Sequence, residues 1–205
     1  MQGLVDTHCH LQAPAFEADL AEVVARARAA GVADMVVCAG DSDDWERTAC
    51  VAREHGLAYM LGIHPLLVPK AHEEDLERLS ALAEASMADP HFIGIGEIGL
   101  EGLVMTIDAR QEHFFREQLR IAARLDLPCA IPVRKRGEGR NSFRANQSAG
   151  THFAGVKNVS VISDRCYGPA PSAENPGQYR VPQPDACNGS GRGKHLWHVT
   201  IFGSP

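Results

Sequence analysis

Along the first two thirds of the chain, hydrophobic positions fall into short continuous runs separated by stretches of helical period. Residues 34–39 (Asp-Met-Val-Val-Cys-Ala) are apolar without alternation, as in a strand covered on both faces. Residues 3–7, 57–63, 91–95 and 127–133 read as four further strands. Between them, residues 16–30 place Leu20, Val23, Val24 and Ala27 on one helical stripe and stop at Gly31, a residue suited to a helix C-cap. Residues 43–55 begin in an Asp-rich turn and stop at Gly56. Residues 73–87 carry the stripe Leu76, Leu79, Leu82 and Ala83, with Glu73, Glu74 and Asp75 where a helix dipole favours negative charge. Asp108 can cap a fourth helix to residue 125 that buries Phe114, Phe115, Ile121, Ala122 and Leu125. Five strands alternating with four helices predict an α/β protein with a parallel sheet, either doubly wound or part of a (β/α)8 barrel. In both architectures ligands gather at the carboxyl ends of the strands.

Composition divides the chain. Residues 1–135 hold 41 of Leu, Ile, Val, Met and Phe, whereas residues 136–205 hold 11 and are richer in Gly and Pro. Net charge changes from −10 to +4 across the same point. The first part has the apolar supply of a globular domain; the second is expected to be a polar, irregular or disordered tail. The overall charge of −6 gives no general reason for nucleic-acid affinity, although a local site can still hold phosphate. No apolar run is long enough for a membrane span, and Met1-Gln2-Gly3 opens without a basic, signal-like region. Six scattered cysteines with no C-x-x-C pair read as reduced thiols of a cytoplasmic protein.

The chemistry recurs at strand ends. Asp6-Thr7-His8-Cys9-His10 closes the first strand. Residues i and i+2 of an extended chain share a face, so His8 and His10 can converge on a divalent metal, whereas a hydrogen-bonded polar pair is the plainer alternative. The third strand ends in Gly62-Ile63-His64-Pro65 and the fourth in Gly96-Glu97-Ile98-Gly99. A carboxylate buried at Glu97 is costly unless a cation neutralises it, and a metal held with His8 and His10 supplies that cation. His64 can hold substrate or simply cap its strand. Arg134, after the fifth strand, can meet an anionic substrate or form a surface salt bridge. Gly94-Ile-Gly96-Glu-Ile-Gly99 satisfies the dinucleotide-binding pattern, but no helix signal opens inside it, so no nucleotide cofactor is expected. His55, His72, His91 and His113 read as surface or cap residues.

Taken together, Val5-Asp6-Thr7-His8-Cys9-His10-Leu11, Gly62-Ile63-His64-Pro65, Ile95-Gly96-Glu97-Ile98-Gly99-Leu100-Glu101, Arg110-Gln111 and Leu127-Pro128 resemble the TatD family of metal-dependent hydrolases, relatives of the amidohydrolases on a (β/α)8 barrel. The resemblance covers about residues 3–135 and implies a barrel of which the first five strands and four helices are intact. It implies phosphodiester hydrolysis by metal-activated water, commonly as a deoxyribonuclease, with one or two divalent ions (zinc, magnesium or manganese). It makes His8, His10 and Glu97 metal ligands, with Glu97 catalytic, and leaves His64 and Arg134 to bind DNA or another phosphodiester. The family carries a metal-binding histidine in a His-x-Arg context after strand five, where this chain reads Pro132-Val133-Arg134. A later histidine and an aspartate of the family have no convincing counterpart after Lys135, and His152 is only a faint match. This departure points to a divergent or frameshifted segment, and to an alternative in which the chain is an inactive fragment with residual metal binding. A third reading, a related hydrolase of C–N bonds, is disfavoured by Gly96-Glu97-Ile98-Gly99.

Overall fold

The structure, a computed structural model, describes residues 4–102, 105–133 and the backbone of 159–163. Its elements run β1 (Leu4–Cys9), a 3-10 turn (Pro14–Phe16), α1 (Leu20–Ala29), β2 (Val32–Cys38), α2 (Trp45–His55), β3 (Ala58–Leu61), α3 (Glu73–Ser86), β4 (Phe92–Ile95), α4 (Ala109–Arg124), β5 (Cys129–Val133) and β6 (Val159–Ser163). All strand pairs are parallel, and their order in the sheet is the order in the chain. A doubly wound sheet reverses its strand order at a switch point, whereas a barrel winds in one direction. The sequential order therefore selects the barrel-type winding: a partial (β/α)8 sheet with its helices outside.

The five expected strands and four helices all form, with shifted ends. The first helix begins at Leu20 rather than 16 because Pro14–Phe16 makes a separate 3-10 turn. Gly31 and Gly56 follow their helices at φ of +96° and +62°, the left-handed region that glycine enters without a Cβ penalty. Asp108 caps α4 by accepting a 2.8 Å hydrogen bond from the Gln111 amide. Asp44 precedes α2 but leaves the helix uncapped; its carboxylate instead accepts from the amides of Gly40 and Asp41 and from Gln12 Nε2. The sixth strand was not anticipated. Its five residues pair one-to-one with β5, from Cys129 opposite Val159 to Val133 opposite Ser163. Val-Ser-Val-Ile-Ser is a short β-branched run inside the segment expected to be irregular. Residues 134–158 and 164–205, including Arg134 and His152, lie outside the described residues.

The core has two layers. Between the sheet and the helices pack Val37, Tyr59, Leu61, Ile95, Cys129 and Ile131 against Val24, Trp45, Leu79, Phe114, Phe115 and Leu119. On the other face of the sheet Val36, Cys38, Met60 and Ala130 form a smaller apolar cluster, as a barrel interior requires. Among the described residues, no helix is long and apolar enough to cross a membrane.

Candidate metal centre

The carboxyl edge of this sheet collects the chemistry. β1 delivers His8 and, one residue past its end, His10; the segment after β3 delivers His64, and the segment after β4 delivers Glu97. His8 and Glu97 are buried, at 5% and 6% exposure, and His10 is partly open. His8 Nε2 lies 3.1 Å from Glu97 Oε2, and His10 Nε2 lies 3.5 Å from the same oxygen. The two imidazole Nε2 atoms are 3.0 Å apart, their rings crossed edge to face. His64 Nε2 sits on the other carboxylate oxygen, 3.7 Å from Oε1. Backbone bonds fix this geometry: Asp6 Oδ1 accepts from the His8 amide at 3.1 Å, and the Glu97 and Gly96 amides donate to Ala39 and Leu61 carbonyls.

Hydrogen-bond chemistry separates the histidines. His10 Nδ1 lies 2.9 Å from the Cys38 carbonyl oxygen, which can only accept, so Nδ1 carries the hydrogen and Nε2 presents its lone pair. That is the second-shell arrangement that orients an imidazole toward a metal. His64 is the reverse. The Leu66 amide donates to its Nδ1 at 3.1 Å, so the hydrogen of the neutral ring sits on Nε2, which is then a donor and not a ligand atom.

The site's charge is arranged around Glu97. Burial alone would raise its carboxyl, but when the rings carry a second proton, hydrogen bonds from His10 and His8, and the charges of His8 and His64, hold it well below the usual carboxylate range. Burial pulls His10 down, yet its bond to Glu97 and the Glu97 charge raise it overall. At His64 burial prevails over Glu97 and the imidazole is lowered.

These residues fit a divalent ion. Donors bound at about 2.0–2.1 Å to one tetrahedral or octahedral ion stand about 3.0–3.4 Å apart, close to the three separations among His8, His10 and Glu97. Two ring nitrogens facing each other and one carboxylate oxygen are three acceptors unless protons intervene, and one cation satisfies all three. Among the described residues, these three form the one group of His, Cys, Asp or Glu side chains so placed, with ligand atoms within 4.8 Å of one another. The thiols do not contribute: burial pushes Cys9 and Cys38 well above the usual thiol range and Cys129 up to about 12.

Of the residues singled out from sequence, His8, His10, His64 and Glu97 come together, and Arg134 lies outside the described residues. His91 instead donates to the Leu57 carbonyl at the strands' amino ends, and His113 pairs with Glu73 on the surface. Sequence reasoning missed Gln12, whose Nε2 shares the Cys38 carbonyl with His10. It also missed the role of Gln111 and Gln118, whose signal was available: both are polar positions on the buried stripe of α4.

A parallel, sequentially wound βα sheet with imidazoles and a carboxylate at its carboxyl edge defines the class of barrel proteins built around a metal-type site. Within that class the chain belongs to the TatD-related DNase family, whose model matches residues 5–151. It is 35% identical over 133 residues to the 3'-5' ssDNA/RNA exonuclease TatD of Cronobacter turicensis, covering 64% of this chain and 49% of that protein. It is 33% identical over 135 residues to the uncharacterised metal-dependent hydrolase YjjV of Escherichia coli, covering 64% and 51%. Human deoxyribonuclease TATDN3 is 32% identical over 162 residues, covering 72% and 57%. The chain thus spans about half the length of the curated relatives it matches. Among solved structures, Escherichia coli YjjV, a TatD homologue, superposes with a TM-score of 0.61 at 24% identity, covering 77% of this chain and 66% of that one. The Escherichia coli phosphotriesterase homology protein, complexed with phosphate, gives 0.52 at 17% identity, covering 78% and 62%. Both likenesses speak to the fold.

Proposed function

We propose that the chain is a metal-dependent phosphodiesterase acting on DNA, or on another nucleic-acid phosphodiester, at the carboxyl edge of its sheet. The observation that carries this reading is the convergence of His8, His10 and Glu97 on one point, with His10's lone pair turned inward by the Cys38 carbonyl. His8, His10 and Glu97 hold the ion. When bound, a divalent ion supplies Lewis acidity toward a phosphoryl oxygen and lowers the pKa of a water molecule. Two neutral imidazoles and one carboxylate leave a dication with net positive charge, which favours an anionic substrate over a neutral amide. His64 presents its Nε2 hydrogen beside the cluster, where it donates to a phosphate oxygen. Arg134, outside the described residues, is proposed as a second contact to the anion. Relatives named as nucleases support the substrate class. Described thiols that are all free suit a reducing cytoplasm, which we propose as the place of action.

The test is nucleotide release from single-stranded DNA with added magnesium or manganese. Turnover should vanish with chelator and fall by at least about 100-fold in Glu97→Ala. Calorimetric zinc titration reads the site itself: an isotherm unchanged by joint His8→Ala and His10→Ala substitution would sink the reading.

A further inference from the structure

The segment 62–64 leaves the ladder: β3 ends at Leu61, yet the three residues that carry His64 to the site continue without strand partners of their own. Side chains take the ladder's place. The Gly62 carbonyl accepts from Trp45 Nε1 of α2 at 2.9 Å. Ile63 is held at both polar groups by Gln118 of α4: its amide donates to Gln118 Oε1 at 2.7 Å, and its carbonyl accepts from Gln118 Nε2 at 3.2 Å. The His64 amide then donates to the Gly40 carbonyl at 2.7 Å. A carboxamide is the side chain that mimics a peptide group, with one acceptor and one donor side by side. Gln118 is 1% exposed among Phe114, Phe115, Leu119 and Ile121, where an unpaired amide would be costly, so its orientation is fixed by Ile63 and Ile63's by it.

The same device recurs two turns earlier. Gln111 Oε1 accepts from the Glu101 amide at 2.8 Å, and its Nε2 reaches the Glu101 carbonyl at 3.5 Å. Residues seven apart lie on one helix face, so one stripe of α4 grips both site-bearing loops, after β3 and after β4. Arg110, on the same helix, donates to the carbonyls of Val68 and Ala71 farther along the loop that follows His64.

We infer that Gln118 is a positioning residue for His64: by clamping Ile63 it sets the direction from which the ring enters the site, with Nδ1 under the Leu66 amide and Nε2 turned to Glu97. The inference rests on the proposed role of His64, but its geometry is independent of any bound ion.

The test is made on the full chain, chelator-treated and labelled with 15N-histidine, at a pH chosen above the imidazole titrations seen in the same spectra. Long-range 15N–1H correlations report the tautomer of each ring, and the signals lost in His64→Gln identify His64. Wild type should show His64 as a single Nε2–H tautomer. Gln118→Met, similar in volume but unable to hydrogen-bond Ile63, should move both His64 ring nitrogens toward averaged shifts. Gln118→Glu keeps an acceptor for the Ile63 amide and loses the donor, so its His64 signals should fall between the two. Leu119→Ala removes neighbouring core volume without touching Ile63; it should melt lower and leave His64 at its wild-type shifts. His64 shifts unmoved in the Gln118 variants, or moved as far by Leu119→Ala, would overturn the inference. Should Gln118→Met not fold, Gln118→Glu decides alone by the same criterion. Zinc titration of wild type against His8→Ala is read separately, so failure of the metal reading and failure of the positioning role give different results.

Discussion

At the scale of single residues, His10 and His64 have different jobs because of what touches Nδ1. A carbonyl under His10 makes it a lone-pair donor toward the cluster, and an amide over His64 makes it a hydrogen donor. Nothing in His-x-His or in Gly62-Ile63-His64-Pro65 encodes that difference, because the Cys38 carbonyl lies 28 residues from His10. The Glu97 carboxylate couples these rings, and its removal has a definite sign. Burial lowers the His10 imidazole, while Glu97 raises it enough to prevail. Glu97→Gln should therefore bring the His10 titration midpoint down, readable by NMR in chelator-treated protein; a midpoint that stays or climbs would contradict the coupling. The same direction governs metal uptake. Zinc takes the deprotonated ring, and a raised His10 keeps its proton to higher pH than a free imidazole of about 6.5. In wild type, zinc affinity should accordingly weaken with acidification from a pH above about 6.5, and in Glu97→Gln it should be weaker throughout by about tenfold or more. Calorimetric titration at a series of pH values checks both.

At the scale of elements, α4 and the β4–β5 junction do most to place the site. Asp108 holds the first turn of α4 through the Gln111 amide, and Gln111 in turn holds Glu101. Asp108→Ala should cost about 1 kcal/mol, as loss of an N-cap does, and lower the melting temperature; an unchanged thermal transition would show that the cap is dispensable. Gly94 lies where β4 crosses the start of β5: a Cβ there would stand 2.5 Å from the Pro128 carbonyl oxygen, and backbone atoms cannot swing aside as side chains can. Gly94→Ala should destabilise by about 1–3 kcal/mol in denaturant unfolding, the usual range for a group forced into a packed site. The periodic elements were legible because burial imposes period: Leu76 and Leu79 sit on the stripe of α3 that the sequence marks, and Val36, Val37 and Cys38 form the continuous strand. Element ends were less legible, since Pro14–Phe16 turned into a 3-10 segment and Asp44 spent its carboxylate on the Gly40 loop rather than on α2. β6 was hidden for another reason. Five residues of strand are too short a run to stand out from a polar surround, and only pairing with β5 selects them. The site's ligands were readable from recurrence at three strand ends, whereas the glutamine clamps on Ile63 and Glu101 exist only through contacts 55 and 10 residues apart in sequence.

At the scale of the whole molecule, sequential winding makes the carboxyl edge a single concave rim, so any inward position at the end of a strand is a potential ligand position. β5 shows how its own inward positions are assigned. Cys129 and Ile131 belong to the helix-side core, and Ala130 to the inner cluster with Val36, Cys38 and Met60. Strand alternation therefore turns Pro132 inward, one step nearer the carboxyl edge than Ala130. Ala130 itself is beside the cluster: its carbonyl accepts from the Ile98 amide at 3.1 Å, and its Cβ occupies the space next to Gly96, one residue before Glu97. Proline at this place contributes neither a ligand atom nor a backbone donor. Pro132→His should add an imidazole to the rim and tighten zinc binding about tenfold or more, equivalent to about 1.4 kcal/mol or above. Pro132→Ala restores the backbone amide without a ligand atom and should leave zinc affinity at the wild-type value. The paired titrations separate coordination from backbone repair. Equal isotherms for the two variants would mean that position 132 does not reach the ion held by His8, His10 and Glu97. A gain in Pro132→His alone, lost again on adding His10→Ala, would place both imidazoles on one ion.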